Sequence, residues 1–528
     1  TVPNERYFDI ARNLDIFATL FKEVNSFYVD SINPNDMMRT GIDAMLGSLD
    51  PYTNYIPEDE IEDYMTMTTN QYGGVGMLIG RSNDKNIVLM PYRGFPAFNS
   101  GLKIGDELIK VDDLDVTRMT TSDISRLLKG QSGTDVRVTI QRFNSKEPIE
   151  YTLKREKITI ENVPYYGFAS PEIGYLRLSD FTTSAGREVS RAVEKLKAEG
   201  AKKIILDLRD NPGGLLNEAV NVANVFISRG MDVVSTKGKV TEWNKTYKAL
   251  NNAVDTEIPL VVLTNNRSAS ASEIVSGTIQ DYDRGILVGK KTFGKGLVQT
   301  TRDLTYNSKL KVTTAKYYIP SGRCIQAINY GERNDDGSVK KIPDSLKVAF
   351  KTTNGRTVWD GGGVDPDLDV ERKILAPITI SLISKGLIFN YATEYFYRHE
   401  TIPPSKEFTV SDEEFEKFIA WLNDKDYDYT TKVEQTIEEL ERLSKEERFN
   451  GEVGAEILDL KAKVRHNKEN DLVKFRNEIR DILEDEIVTR YYLSDGTIES
   501  SFDDDPQIKA AVDILNNQEK YDSLLARN

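Results

Sequence analysis

The sequence predicts a multidomain α/β protein with a helical segment at each end, and three observations carry that expectation. Apolar, strand-like runs near residues 173–179, 203–208, 259–264 and 285–289 alternate with helical patterns near 184–199, 215–228 and 270–282, the pattern of strands layered against helices. In the first 70 residues, Ile10, Leu14, Phe17, Ala18 and Phe21 recur on one helical face, and Met37 to Leu46 forms a second helix. From residue 373 onward the chain is charged, with apolar residues at helical spacing in 433–443 and 471–483, as in helices that bury one stripe. A chain of 528 residues has room for three or four domains.

Composition narrows the function. The net charge is −15, and no basic stretch suits a nucleic acid. Cys324 is the single cysteine, so no intramolecular disulfide forms, and no Cys/His cluster has metal-ligand spacing. Neither a metal nor a cofactor is expected. The most apolar run, Ile374 to Tyr397, is broken by Pro377, Lys385 and Glu394, which predicts a buried helix rather than a membrane span.

Two segments carry candidate chemistry. Ser268-Ala-Ser-Ala-Ser-Glu273 follows the strand-like Pro259–Thr264, and Phe293-Gly-Lys-Gly-Leu-Val-Gln299 follows Gly285–Gly289. A serine with a nearby base is the minimal equipment for acyl transfer. The only histidines, His399 and His466, lie in the charged C-terminal region far from both segments, which turns attention to a Ser-Lys pair. Ser270-Ala-Ser-Glu273 also fits a helix capping box, and on these residues alone that reading stands beside the nucleophile. Gly289 to Lys295 matches the phosphate-cradling G-x-x-x-x-G-K, but the next residue is Gly296 and alternating strand-like residues follow. A nucleotide loop needs Ser or Thr there and then a helix.

A third segment decides between them. Lys203-Ile-Ile-Leu-Asp-Leu-Arg-Asp-Asn-Pro-Gly-Gly214 is a buried-type strand ending in a glycine turn, where backbone N–H groups can face developing negative charge. In this order and spacing, "DLRDNPGG", "SASASEI" and "GKKTFGKGLVQ" resemble the carboxy-terminal processing (tail-specific) serine peptidases, over roughly residues 35 to 370. The resemblance implies Ser270 as nucleophile, Lys295 as general base and Gln299 as the residue that orients the lysine. It also implies Gly213 or Gly214, with the N–H of Ala271, as oxyanion-hole donors. Lysine acts as a base only when neutral, so its pKa must fall by burial, and Phe293, Leu297 and Val298 are expected to supply the dry surroundings. The family's "LDPHS" reads Leu49-Asp-Pro-Tyr-Thr53 here, a difference expected to touch nothing catalytic.

By the same resemblance the core, residues 157–372, is a ββα superhelix of the crotonase/Clp type. Residues 71–156 resemble an inserted PDZ domain: Tyr72 to Ile79 look like its carboxylate-binding loop and first strand, with Gly74, Val75, Gly76, Met77, Leu78 and Ile79 contacting peptide. Pro96 to Ile109 resemble its "PAxxAGLxxGDxI" core. Residues 1–70 are then an N-terminal helical region and 373–528 a C-terminal charged helical domain that offers a route to homo-oligomers. PDZ domains add a peptide C-terminus to a sheet edge, so the expected partners are protein tails. No signal peptide stands at Thr1, and the resemblance implies a mature or trimmed form in an extracytoplasmic setting, periplasmic or membrane-associated. A catalytically silent PDZ scaffold is the rival reading. Retention of Ser, Lys, Gln and the Pro-Gly-Gly turn together weighs against it.

Overall fold

The computed structural model describes residues 3–333, 339–464 and 468–526; His466 lies outside them. Its centre is a six-stranded sheet in the order Tyr165–Ser170, Ile173–Arg177, Lys203–Asp207, Leu260–Thr264, Ile286–Gly289, Leu368–Asp369. The first pair is antiparallel and the remaining four pairings are parallel. Runs such as Leu260-Val-Val-Leu-Thr264 are buried at every residue, as strands covered on both faces must be. One face packs on the helices Ala185–Ala198, Leu216–Ala223 and Ala271–Asp281 through Leu206, Val262, Leu287 and their neighbours. The other face, with Ile205, Val261, Leu263 and Val288, is covered by Ile508, Ile514, Leu515 and Tyr521. These belong to helices Pro506–Asn516 and Gln518–Leu524, so the end of the C-terminal region is a layer of the central α/β unit.

Beside it lies a second sheet in which Lys309–Tyr318 is central, flanked by Asn54–Ile56, Asp232–Gly238 and Leu297–Asp303. A third sheet, Met77–Ser82, Lys85–Pro91, Glu107–Val111, Asp135–Gln141 and Ile149–Lys154, surrounds its own core with helix Thr121–Leu128. Met77–Ser82 stands at its edge. Residues Tyr72 to Gly74, read from sequence as part of a binding loop, instead belong to a separate strand, Gln71–Gly74, paired with Glu156–Thr159, leaving Val75-Gly76 as the link into the edge strand.

Two other expectations change. The apolar run Ile374 to Tyr397 is two helices, Pro377–Ser384 and Leu387–Arg398, because Gly386 takes a positive φ of 65° between them. On helix Pro3–Phe27 most of the predicted stripe is exposed, Leu14 by 64%, while Phe21 is half-buried and the Phe17 ring lies near Gly41 of the next helix. Among the described residues no helix is long and apolar enough to cross a membrane.

Candidate active site

The loops that matter all leave the carboxyl ends of neighbouring parallel strands, where open α/β sheets place their binding crevices. Lys203–Asp207 leads into the Arg209–Gly214 turn, Leu260–Thr264 into Ser270, and Ile286–Gly289 into Lys295. Ser270, Ala271, Gly213, Gly214, Lys295 and Gln299 line one cleft of about 610 Å³. The six residues that the sequence assigned to the catalytic centre therefore line one cleft.

Ser270 stands immediately before helix Ala271–Asp281 with φ 55° and ψ −111°, a strained conformation for a residue with a Cβ. Its neighbours in the serine run are already used. Ser268 Oγ donates to the Leu208 carbonyl (2.7 Å) and Ser272 Oγ to the Asn211 carbonyl (2.9 Å), and both side chains are fully buried. Of the three serines, Ser270 alone lines the cleft.

The two glycines also separate. The Gly213 N–H donates to Asn211 Oδ1 at 2.8 Å. Gly214 sits opposite Phe181 in a parallel bridge in which Phe181 bonds to Gly213 and Leu215 on either side. That pattern turns the Gly214 N–H away from Phe181. A Cβ on Gly213 would come within 2.8 Å of Ser270 Cβ, and one on Gly214 within 2.4 Å of the Phe181 carbonyl oxygen. Only glycine lets this turn lie so close to the serine.

Burial pushes the Lys295 amine down from its ordinary value to about 8, with the positive charge of Lys311 acting in the same direction. Leu297 and Val298 contribute to the lining as expected, whereas Phe293 is 48% exposed and does not. Its place is taken by two tyrosines. The Lys295 Nζ lies 4.3 Å from the centre of the Tyr52 ring, and the buried Tyr317 hydroxyl donates to the Lys295 carbonyl and, at 3.1 Å, to the Ser270 carbonyl. The Leu49–Thr53 segment therefore does touch the site, contrary to the sequence expectation. Asp50 accepts from the N–H groups of Tyr52 and Thr53 (both 2.8 Å), which folds the loop back so that Tyr52 reaches the lysine. Gln299 donates its Nε2 to Thr313 Oγ1 at 3.2 Å, which leaves its carbonyl oxygen as the end suited to accept from an amine.

Glu273, legible in sequence only as a capping residue, is completely buried. One carboxylate oxygen accepts from the N–H groups of Ser270 and Lys295 (both 2.8 Å), and the other from Gly294 N–H (2.7 Å) and Thr292 Oγ1 (2.5 Å). A single side chain thus ties the serine-bearing and lysine-bearing loops together. Burial raises its pKa to about 7 despite those four donors. His399, by contrast, stacks on Tyr395 with ring centres 4.0 Å apart in the C-terminal helical region.

Known proteins agree with this architecture. Residues 172–332 match the family model "Peptidase family S41", 87–142 a PDZ domain, and 378–515 "Probable PDZ-protease, C-terminal helical domain". A carboxy-terminal-processing protease of Bartonella bacilliformis is 35% identical over 68% of this chain and 82% of its own length. The chain belongs to the carboxy-terminal-processing proteases of peptidase family S41. A probable CtpA-like serine protease of Staphylococcus aureus is 36% identical, covering 66% of this chain and 74% of that protein. The solved photosystem II D1 C-terminal processing protease is 27% identical over 67% of this chain and 86% of its own, with a TM-score of 0.36. This family membership makes the protein a PDZ-containing serine peptidase.

Proposed function

We propose that this peptidase cleaves proteins through a Ser270–Lys295 dyad and selects them by their C-terminal tails in the PDZ groove. The observation that carries the reading is the convergence of Ser270, a desolvated Lys295 and the Gly214 and Ala271 amides on one cleft. Ser270 Oγ attacks the scissile carbonyl carbon while its proton passes to the Lys295 Nζ. The carbonyl oxygen becomes an oxyanion facing the Gly214 and Ala271 N–H groups. Collapse of that intermediate breaks the C–N bond, with the Lys295 ammonium returning the proton to the departing amine. Water then repeats the sequence on the acyl-enzyme, with Lys295 as base. At pH 7 a pKa of about 8 leaves roughly a tenth of the lysine neutral, against about one part in 3,000 at its ordinary value.

Tail selection rests on the open edge at Met77–Ser82 facing helix Thr121–Leu128, with the Val75-Gly76 link at its start. A peptide strand can add to that edge while amides near Gly74 to Met77 receive its carboxylate. Val75 and Met77 are buried and Leu78 is exposed, so the first two belong to the domain's core and serve the groove through their backbone. The reading includes an extracytoplasmic, periplasmic setting, supported by the resemblance to exported peptidases.

Turnover of an unfolded model protein, compared between the native chain and Ser270→Ala, tests the function. The variant should lose all measurable cleavage while keeping its melting temperature. Cleavage near the native rate would remove Ser270 from the role and return the silent-scaffold reading to contention.

A further inference from the structure

A second lysine lines the cleft that holds Ser270 and Lys295. Lys311 sits in the central strand of its sheet, opposite Thr301 on one side and Asn54 on the other. Successive side chains of a strand point to opposite faces, so residues 309, 311 and 313 share one. Lys309, at the outer end, pairs with Asp303. Thr313, at the inner end, holds Gln299. Between them Lys311 is half-buried and, among the described residues, within ion-pair distance of no carboxylate. A cation taken partly out of water without a partner is held at a cost, which asks what its charge does there.

The charged and titratable groups around Lys295 give the answer. From helix Ala271–Asp281 comes Glu273, and from the loop before Asn54–Ile56 come Asp50 and the Tyr52 ring. Both carboxylates favour the ammonium form, as does the negative face of the ring. Tyr317, on the same strand as Lys311, stays neutral because burial raises its pKa. Asp180 also lines the cleft without pairing to either lysine. Set against the influences that would keep Lys295 protonated are its own burial and one positive charge, Lys311.

We propose that Lys311 is a positioning residue for the peptidase reaction, whose unpartnered ammonium beside Lys295 keeps that base in its neutral form. The proposal rests on Lys295 being the general base. A carboxylate near Lys311 would cancel the effect, which accounts for a pattern in which Lys309 is paired and Lys311 is not. The field acts across a desolvated cleft, where like charges weaken each other's protonated form most strongly.

The test is the pH dependence of kcat/KM on an uncharged peptide substrate for native, Lys311→Met, Lys311→Gln and Lys311→Arg chains. The two neutral variants should move the apparent pKa up by about one pH unit, cut the rate at pH 7 roughly ten-fold, and recover near-native turnover in alkaline buffer. Recovery at high pH also shows that the variants are folded. Lys311→Arg, which keeps the charge, should keep the native profile. An unmoved profile in both neutral variants would overturn the proposal; a loss seen only on a second peptide with acidic side chains, run in parallel, would also overturn it and make Lys311 a substrate contact. Lys295→Ala in the same assay separates the two claims: activity there would remove the base itself, whatever Lys311 does.

Discussion

At the scale of single residues, the site is a problem of keeping one amine neutral and one hydroxyl correctly aimed. Lys295 carries the first part, and its depressed pKa fixes the sign of the pH dependence. Activity should rise with pH through an apparent value near 8 and level off above it, since only the deprotonated lysine accepts the serine proton. A pH profile of kcat/KM checks this, and a midpoint near the ordinary lysine value would show that the cleft does not desolvate the amine. Glu273 carries the second part, because its carboxylate holds the backbones of Ser270, Gly294 and Lys295 at once. In Glu273→Gln the amide NH₂ must face an N–H donor, leaving buried donors unpaired at about 1–3 kcal/mol each. We expect kcat to fall at least ten-fold and the melting temperature to drop, with KM little changed. Native kcat in a folded Glu273→Gln would mean that the loops keep their register without it.

At the scale of elements, the parallel strands and the loops at their carboxyl ends were legible in the sequence because each is a local pattern. Pro259–Thr264 and Gly285–Gly289 read as buried strands from composition, and the serine and lysine follow them within a few positions. The segments that complete the cleft were not legible in the same way. Tyr52 arrives from more than 200 residues before Lys295, and Lys311 and Tyr317 arrive through the register of a strand with its neighbours. Alternation in Lys309–Tyr318 announced a strand, yet one strand cannot tell which face meets a distant loop. The Asp50-Pro-Tyr-Thr53 turn was the available signal, since an aspartate poised to cap its own loop marks a fixed segment. Helix Leu216–Ala223 is shorter than the 215–228 pattern suggested, because Ala223 to Ile227 continue in turns that still bury Val225 and Phe226. The PDZ edge strand makes its own prediction. A tail peptide offered as free acid should give kcat/KM about ten- to a hundred-fold higher than the same peptide as an amide, the worth of a charge-assisted hydrogen bond of roughly 1.5–3 kcal/mol. Equal values would detach tail recognition from Met77–Ser82 even if the dyad stood.

At the scale of the whole molecule, the C-terminal region does two jobs that its charged composition concealed. It covers the second face of the central sheet, where Tyr521 reaches in so that its hydroxyl accepts from the Leu260 N–H at 2.9 Å. It also grips the PDZ-like domain: Phe143 stacks on Tyr397 with ring centres 6.0 Å apart, and Arg93 approaches Asp495 at 3.6 Å. The peptidase and PDZ units are therefore braced by one helical body, joined to the sheet by the Arg209–Asp505 pair next to the Gly213-Gly214 turn. Ile514 is wholly buried on the sheet. Ile514→Ala should cost about 2–5 kcal/mol of stability and lower the melting temperature of the α/β unit itself. Chemical denaturation measures it. A loss under about 0.5 kcal/mol, typical of surface changes, would show that the helix is not part of that core.

The central claim is that Lys295 takes the proton from Ser270, and the most direct measurement is the rate at which a fluorophosphonate probe modifies Ser270 between pH 6 and 10. Native protein should be labelled at Ser270 alone, with a rate that climbs through pH 8. Lys295→Arg, whose side chain stays protonated, should show almost no labelling at any pH. Labelling of Lys295→Arg at the native rate and with the native pH dependence would contradict the account.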